Sequence, residues 1–363
     1  MSSRDELVHL LKWHDAAEME RLLGLSARQR FEEIKILLRM CELVGGVERQ
    51  AAALAALVDE ISAIGPERDD RLRSPVLRGW LNSFGRIHDW TDVSNPALLR
   101  RLDMTENMRV SLSHGQEWSA VMAIEHGVLM TWHCELAIGG LDGELVGARK
   151  EGSHLILVDQ YGQRTNYDLE SHDDPRILRS PCLPGTEIAV RNDLPWLRLK
   201  LREGSIPTRE EGIVHDVYDN SAPYHLSTDL TPILQAGETL SRAWPEAYDE
   251  FRRDLRIIIP RTVPPGWTVG GFTVSSHQGA LWMPSTDPVD IIDHAVHEHA
   301  HVKLRYLEEA YPILAPGEDQ RTFSVPWRDD PRPLVGIMEG IYVHLRSAEA
   351  LRRAEGIGAL NSE

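Results

Sequence analysis

The most restrictive feature of the sequence is a short motif of histidine and glutamate in its last third. The letters HEHAH at residues 297–301 match the pattern H-E-x-x-H. Asp287 and Pro288, shortly before it, are typical of a helix start, because aspartate caps a first turn and proline favours its first position. On a helix, residues four apart share a face, so His297 and His301 can bind one metal ion together. The motif therefore predicts a helix that carries a metal site.

Two histidines need a third protein ligand, because a lone pair binds an ion weakly and leaves too many positions open. The best candidate is Glu339, in a second predicted helix where flanking glycines allow a close approach. His344, five residues further along, is its competitor, since it is also helical and apolar-flanked. His299 projects about 200° away from His297, so we do not expect it to bind the ion.

Two histidines and one carboxylate suit two different chemistries. With zinc, Glu298 would be the general base that activates water, and the protein would be a peptidase. With iron(II), the three ligands would form a facial triad whose open positions accept a co-substrate and dioxygen. The spacing of the ligands does not choose between zinc and iron.

Two segments resemble the HExxH-motif peptide-modification family, enzymes of ribosomally synthesised peptide natural-product biosynthesis. They are AVHEHAHVKL at residues 295–304 and PWRDDPRPLVGIMEGIYVHL at residues 326–345. The resemblance covers about residues 267–353, and the second segment is the more specific one. His297 and His301 match the family's metal ligands, whereas Glu339 stands where many relatives carry histidine.

The resemblance implies an iron(II)/2-oxoglutarate-dependent dioxygenase rather than a zinc enzyme. It implies hydroxylation, at the β-carbon, of a side chain in a ribosomally synthesised precursor peptide, which would be the partner of this chain. The co-substrate 2-oxoglutarate needs a cation for its distal carboxylate, and arginine pairs with carboxylates through two parallel hydrogen bonds. Arg332, in a predicted turn before the Glu339 helix, is the first candidate, and Arg328 and Lys303 are the alternatives.

The order of sequence patterns predicts an α+β protein with three regions. Residues 1–107 carry helical periodicity, and residues 108–205 are rich in β-forming residues typical of a central antiparallel sheet. Residues 206–363 are expected to form a mainly helical metal-binding domain with the HExxH motif. Within these regions we expect a hairpin at 154–169, a strand at 196–201 and a helical stretch from about residue 230 through 259.

The composition limits the partners and the location of the chain. The 363 residues carry a formal net charge of −17, which argues against a nucleic-acid or an anionic membrane surface. No apolar run approaches the ~18 residues of a membrane helix, and the charged first residues lack a signal-peptide core. Three widely spaced cysteines, Cys41, Cys134 and Cys182, favour a reducing cytoplasm.

Overall fold

The structure is a computed structural model that describes residues 16–85, 92, 94–113, 116–194, 229–261, 271–284, 287–311, 314, 321–326 and 328–360. The expected mixture of helices and antiparallel sheets is confirmed. The chain forms two compact units. The sheet unit consists of Ala27–Pro181 and Arg191–Tyr224, and the histidine unit of Met1–Ser26, Cys182–Val190 and His225–Glu363. Over the described ranges, no helix is long and apolar enough to cross a membrane.

Two helices of the sheet unit begin at a residue whose side chain caps the first turn. The side chain of Ser74 accepts hydrogen bonds from the backbone N–H groups of Val76 and Leu77, and Asn95 accepts one from Ala97. The helices are α1 (Ala16–Val44, which belongs to this unit from Ala27), α2 (Glu48–Ile64), α3 (Pro75–Phe84), α4 (Pro96–Asp103) and α5 (Thr105–Arg109), with 3₁₀ turns at Pro66–Arg68 and Asp70–Arg73.

Two antiparallel sheets follow these helices. Their strands are β1 (Trp118–Ala123), β2 (Leu129–Met130), β3 (Leu136–Ile138), β4 (Leu145–Glu151), β5 (His154–Val158), β6 (Arg164–Asp168) and β7 (Ile177–Arg179). One sheet has the order β1-β4-β5-β6 and the other β2-β3-β7. The expected hairpin is the β5–β6 pair, with His154 opposite Asp168. Burial alternates along β4 and β5, as it does in a strand with one solvated face.

The histidine unit combines helices with a small parallel sheet. It contains β8 (Ala189–Val190), α6 (Thr231–Ala243), α7 (Pro245–Asp254), β9 (Ile257–Arg261), a 3₁₀ turn (Ser275–His277), β10 (Ala280–Pro284), α8 (Pro288–Ala310), β11 (Thr322–Val325), β12 (Arg328–Pro333) and α9 (Leu334–Gly356). The sheet order is β10-β9-β8, and both neighbours run parallel to β9. Phe272 forms an antiparallel bridge to Trp282 of β10.

Two expectations for this unit are wrong. The helical stretch expected to continue through residue 259 ends at Asp254, and residues from Ile257 form the central strand β9. The three consecutive isoleucines of β9 are all buried, which suits a parallel strand covered on both faces. The predicted turn that contains Arg332 is strand β12, which pairs with β11. Its prolines are tolerated because a two-stranded ribbon leaves outer N–H positions unpaired. The strand expected at 196–201 lies outside the described residues.

Candidate metal site

Helix α8 begins as the sequence predicts and carries the HExxH motif in its middle. The side chain of Asp287 accepts hydrogen bonds from the backbone N–H groups of Val289 (2.7 Å) and Asp290 (3.2 Å), and Pro288 occupies the first turn. Apolar residues of α8 on either side of the motif are buried in the core of the histidine unit: Ile291, Ile292, Ala295, Val296, Val302, Leu304, Tyr306 and Leu307. A capped and packed helix therefore fixes the backbone beneath the motif.

Three imidazole rings are neighbours at this place. The ring centroids of His297 and His301 are 5.2 Å apart, and those of His297 and His344 are also 5.2 Å apart. Imidazoles that bind one tetrahedral ion at a distance of about 2.0–2.1 Å have centroids about 5 Å apart. The ring of His297 is therefore spaced from His301 and from His344 as two imidazoles that share an ion would be.

The ligand atoms themselves are not gathered around one point. Among the residues that the structure describes, no group of three or more His, Cys, Asp and Glu side chains is arranged to hold a metal ion. Rotation of an imidazole about its side-chain torsions redirects its nitrogens while the backbone stays fixed. Binding an ion here thus requires side-chain rotation on helices already in position.

The environment keeps the paired histidines of α8 neutral. Burial lowers the pKa of His297 to about 4, with smaller contributions from His301 and His344, while Asp293 opposes the shift. Burial also lowers the pKa of His301 to about 4, and the charge of Arg305 adds to this effect. A metal ion binds the neutral imidazole, so protons do not compete for these two rings at neutral pH.

Glu298, the predicted catalytic residue, is buried beside the pair, with 6% of its surface exposed. Burial raises the pKa of its carboxyl group to about 8, although a hydrogen bond from the backbone of Thr273 opposes the shift. Thr273 is next to Phe272, whose bridge to β10 holds this backbone in place. The carboxyl group is therefore fixed one residue after His297, with a pKa in the range that suits proton transfer near neutral pH.

The structure brings His344, rather than Glu339, next to His297. On α9 these two residues are about 140° apart around the helix axis, and the ring of His344 is the one that contacts His297. The carboxylate of Glu339 lies 3.1 Å from the guanidinium of Arg305. Glu339, our preferred third ligand, thus pairs with Arg305, whereas His344, the alternative, lies beside His297.

The predicted anchors for an oxoglutarate carboxylate lie in different places. Arg332 is half-buried on β12, opposite Phe323, and Arg328 lies on the same strand opposite Val325. Lys303 is buried and donates a hydrogen bond to Glu250 (3.2 Å), on a face of α8 turned away from His297. It is therefore not part of the group of three imidazoles.

Arg305 is a cation near the site that sequence reasoning missed. It follows His301 by four residues on α8, and its charge acts on the pKa of that histidine. It pairs with Glu339 and also with Glu308. The available signal was its i+4 spacing from His301, which places both residues on one helical face.

His299 and Lys303 belong to a buried polar network on the opposite face of α8. His299 Nε2 lies 2.9 Å from Asp254 Oδ2, and both side chains are fully buried. The expectation that His299 points away from the predicted metal pair is confirmed. Glu250, which accepts from Lys303, also accepts from Arg346 Nη2 at 2.7 Å. The sequence offers only the i, i+4 spacing of these acids on α7 as a signal, which is equally typical of an exposed helix face.

Other histidines near the motif pack within the unit. His277 is buried, its Nδ1 lies 3.0 Å from Ser276 Oγ, and its ring meets Trp282 edge-on. His294 lies against Gly271, where an added Cβ would come within 3.2 Å of the His294 ring nitrogen. Glycine at position 271 therefore allows the segment before Phe272 to approach α8 closely.

An open pocket of about 500 Å³ on α9 is lined by Gly340, Ile341, His344 and Leu345. Ile341 and Leu345 are 51% and 58% exposed. The imidazole of His344 is therefore reachable from solvent beside two apolar side chains.

No protein-family model matches the chain, and no curated protein matches it.

Proposed function

We propose that the histidine unit is the metal-binding domain of an iron(II)/2-oxoglutarate-dependent dioxygenase that hydroxylates a side chain of a ribosomally made precursor peptide. The proposal depends on one observation: the ring of His297 lies 5.2 Å from the ring of His301 on α8 and 5.2 Å from that of His344 on α9. Three protein ligands leave positions for a co-substrate and dioxygen, and iron(II) would supply the oxygen chemistry there. The choice of iron follows from the resemblance of residues 267–353 to the peptide-modification family.

The side chains around the three histidines would bind and orient the two organic substrates. Arg332 remains our first candidate for the distal carboxylate of oxoglutarate, with Arg328 and Lys303 as predicted alternatives, and Arg305 is an additional candidate because it acts on His301. Since Arg305 already pairs with Glu308 and Glu339, a bound oxoglutarate would compete with these two carboxylates for it. The open pocket on α9 that His344 lines would receive the substrate peptide.

The second candidate function is a zinc metallopeptidase, and the position of Glu298 favours it. This buried carboxyl group follows His297 directly and accepts a hydrogen bond from the backbone of Thr273. In a peptidase it would accept the proton of the attacking water and return it to the leaving amine. In an oxygenase it has no obligatory proton-transfer role, so the two functions make different demands on one residue.

We also propose a cytoplasmic location, because the three widely spaced cysteines, Cys41, Cys134 and Cys182, suit a reducing compartment. Burial raises the pKa of the Cys41 thiol to about 11 and that of Cys134 to about 12, so both thiols react slowly.

Metal analysis and product analysis on the same protein would test the proposal. Anaerobically purified chain should contain stoichiometric iron, and addition of 2-oxoglutarate and dioxygen should yield succinate. A peptide substrate should gain about 16 mass units, one oxygen atom. His297→Ala should lose both iron and succinate formation, whereas His299→Asn, a change in the same motif, should keep the iron. Stoichiometric zinc with peptide cleavage, and loss of cleavage in Glu298→Gln, would contradict the oxygenase and support the peptidase.

A further inference from the structure

Two acidic residues of α7 each form a hydrogen-bonded pair with a residue of α8. Glu250 and Asp254 are four residues apart on one helix, and Lys303 and His299 are four residues apart on the other. Asp254 meets His299 at 2.9 Å, and Glu250 meets Lys303 at 3.2 Å. These two contacts hold the face of α8 that is turned away from His297.

Glu250 also contacts α9, the helix that carries His344. Its Oε1 accepts from Lys303 of α8, and its Oε2 accepts from Arg346 of α9 at 2.7 Å. Glu250 and Arg346 are 4% and 0% exposed. Ionised hydrogen bonds of this kind are roughly twice as strong as neutral ones and have defined directions. One carboxylate therefore connects the helix of His297 and His301 with the helix of His344.

The guanidinium of Arg346 is held from other directions as well. It lies 5.1 Å from the ring centroid of Trp244 and 5.9 Å from that of Tyr342. Arg346 follows His344 by two residues, so their side chains are about 200° apart around α9. Fixing the buried Arg346 therefore fixes the rotation of α9 about its axis, and with it the side of α9 from which His344 projects.

We propose that Glu250 is a positioning residue for the third metal ligand, an inference that rests on the proposed metal site. By holding Lys303 and Arg346 at once, it sets the distance and rotation of α9 relative to α8. Its effect on the metal passes through His344, and not through His297 or His301, which share one continuous helix. Partners that orient metal ligands typically change metal affinity by about 10–100-fold when they are mutated.

A double-mutant cycle with cobalt(II) as the probe would test this inference. Affinity would be measured by titration calorimetry and by cobalt absorption for the wild type, Glu250→Gln, His344→Ala and the double variant. We expect Glu250→Gln to weaken binding about 10–100-fold and to change the cobalt spectrum toward that of His344→Ala. In the His344→Ala background, Glu250→Gln should have no further effect on affinity, because the ligand that it positions is gone.

Two control variants separate positioning from general destabilisation. Glu349→Gln removes another carboxylate that pairs with two cations, Arg352 and Arg353, but at a solvated part of α9. Leu240→Ala creates a cavity in the same core without touching the carboxylate bridge. Both should bind cobalt like the wild type at temperatures well below their melting points.

Each outcome has a distinct meaning. Wild-type affinity in Glu250→Gln, or an equal loss with and without His344, would overturn the positioning role. If Glu250→Gln does not fold, Arg346→Lys tests the same bridge, because it keeps the buried charge but loses the planar fork, and it should show the same coupling to His344. Equal cobalt binding by the wild type and His297→Ala would instead reject the proposed metal site itself.

Discussion

The two faces of helix α8 use the same residue types for different purposes. On one face, His297 and His301 lie beside His344, and the nearest rings are imidazoles. On the other face, His299 hydrogen-bonds to the carboxylate of Asp254, and Lys303 to that of Glu250. The two sets are interleaved in a stretch of seven residues, so their separation is a consequence of the helical period alone.

This difference separates histidines that could bind a metal from histidines that stabilise the fold. A buried imidazole with a carboxylate partner has its donor satisfied within the protein, and losing that partner exposes the full cost of the buried group. Neutral imidazoles that face each other have lone pairs available and gain little from one another. An ion between them would supply the missing interaction, which is the physical reason to place the metal on that face.

The largest effect should follow from removal of a histidine on the imidazole face. His297→Ala or His301→Ala should weaken metal binding by about 10⁴-fold, or about 5.5 kcal/mol, because the remaining rings come from two different helices. The free energy of unfolding of the metal-free protein should change by less than about 1 kcal/mol, because both rings are only half-buried. Calorimetric titration and urea unfolding measure the two quantities. Full metal occupancy in either variant would remove the difference between the faces.

On the face of α8 that carries His299 and Lys303, a substitution should reduce stability strongly and metal binding little. Asp254→Ala leaves His299 without its buried acceptor, so the free energy of unfolding should fall by about 3–5 kcal/mol. Metal stoichiometry at low temperature should stay at the wild-type value, because the imidazoles near His344 are untouched. Urea unfolding followed by circular dichroism, together with metal analysis, would check both statements. A variant that keeps its stability but loses its metal would contradict this assignment.

The Asp254–His299 pair should also make the free energy of unfolding depend on pH. Burial raises the pKa of Asp254, but the hydrogen bond from His299 and nearby positive charges outweigh it, so the pKa lies below its ordinary value of 3.8. A carboxyl group whose pKa is lowered by folding adds stability above its unfolded pKa, and this contribution is lost as the pH falls through the folded value. Unfolding free energies measured from pH 6 to pH 2 should therefore fall more steeply for the wild type than for Asp254→Asn. Parallel curves for the two proteins would show that Asp254 does not carry this dependence.

Much of this arrangement could be predicted from local sequence, and the rest depends on tertiary contacts. The cap at Asp287, the helix it begins and the shared face of His297 and His301 follow from spacing rules that act within one helix. The choice between Glu339 and His344 depends on the rotation of α9, which is set by distant residues such as Glu250 and Arg346. The strand β9 was misjudged because its isoleucine run is too short to show a period, so only its burial in the parallel sheet identifies it.

A smaller effect should distinguish the two candidates for the third ligand. His344→Ala should weaken metal binding by about 10²-fold, or about 2.7 kcal/mol, since water can reach this solvent-accessible position and replace part of the ligand. Glu339→Ala should change affinity by less than about threefold, because its carboxylate pairs with Arg305. Cobalt titration of both variants measures the contrast. The reverse order of effects would return Glu339 to the metal site and require α9 to rotate.

The smallest effect should come from a carboxylate that resembles Glu250 in its partners but differs in its surroundings. Glu349 pairs with Arg352 and Arg353, which lower its pKa to about 2, and its side chain is 26% exposed. Exposed ion pairs contribute at most about 1 kcal/mol and are screened by salt. Glu349→Gln should therefore lower the free energy of unfolding by less than about 1 kcal/mol in dilute buffer, with the difference vanishing in about 1 M salt. Glu250→Gln should lower the free energy of unfolding more than Glu349→Gln does, and equally at both salt concentrations, because water and ions do not reach the buried bridge between α8 and α9. An equal, salt-sensitive loss in both variants would mean that burial does not distinguish the two carboxylates.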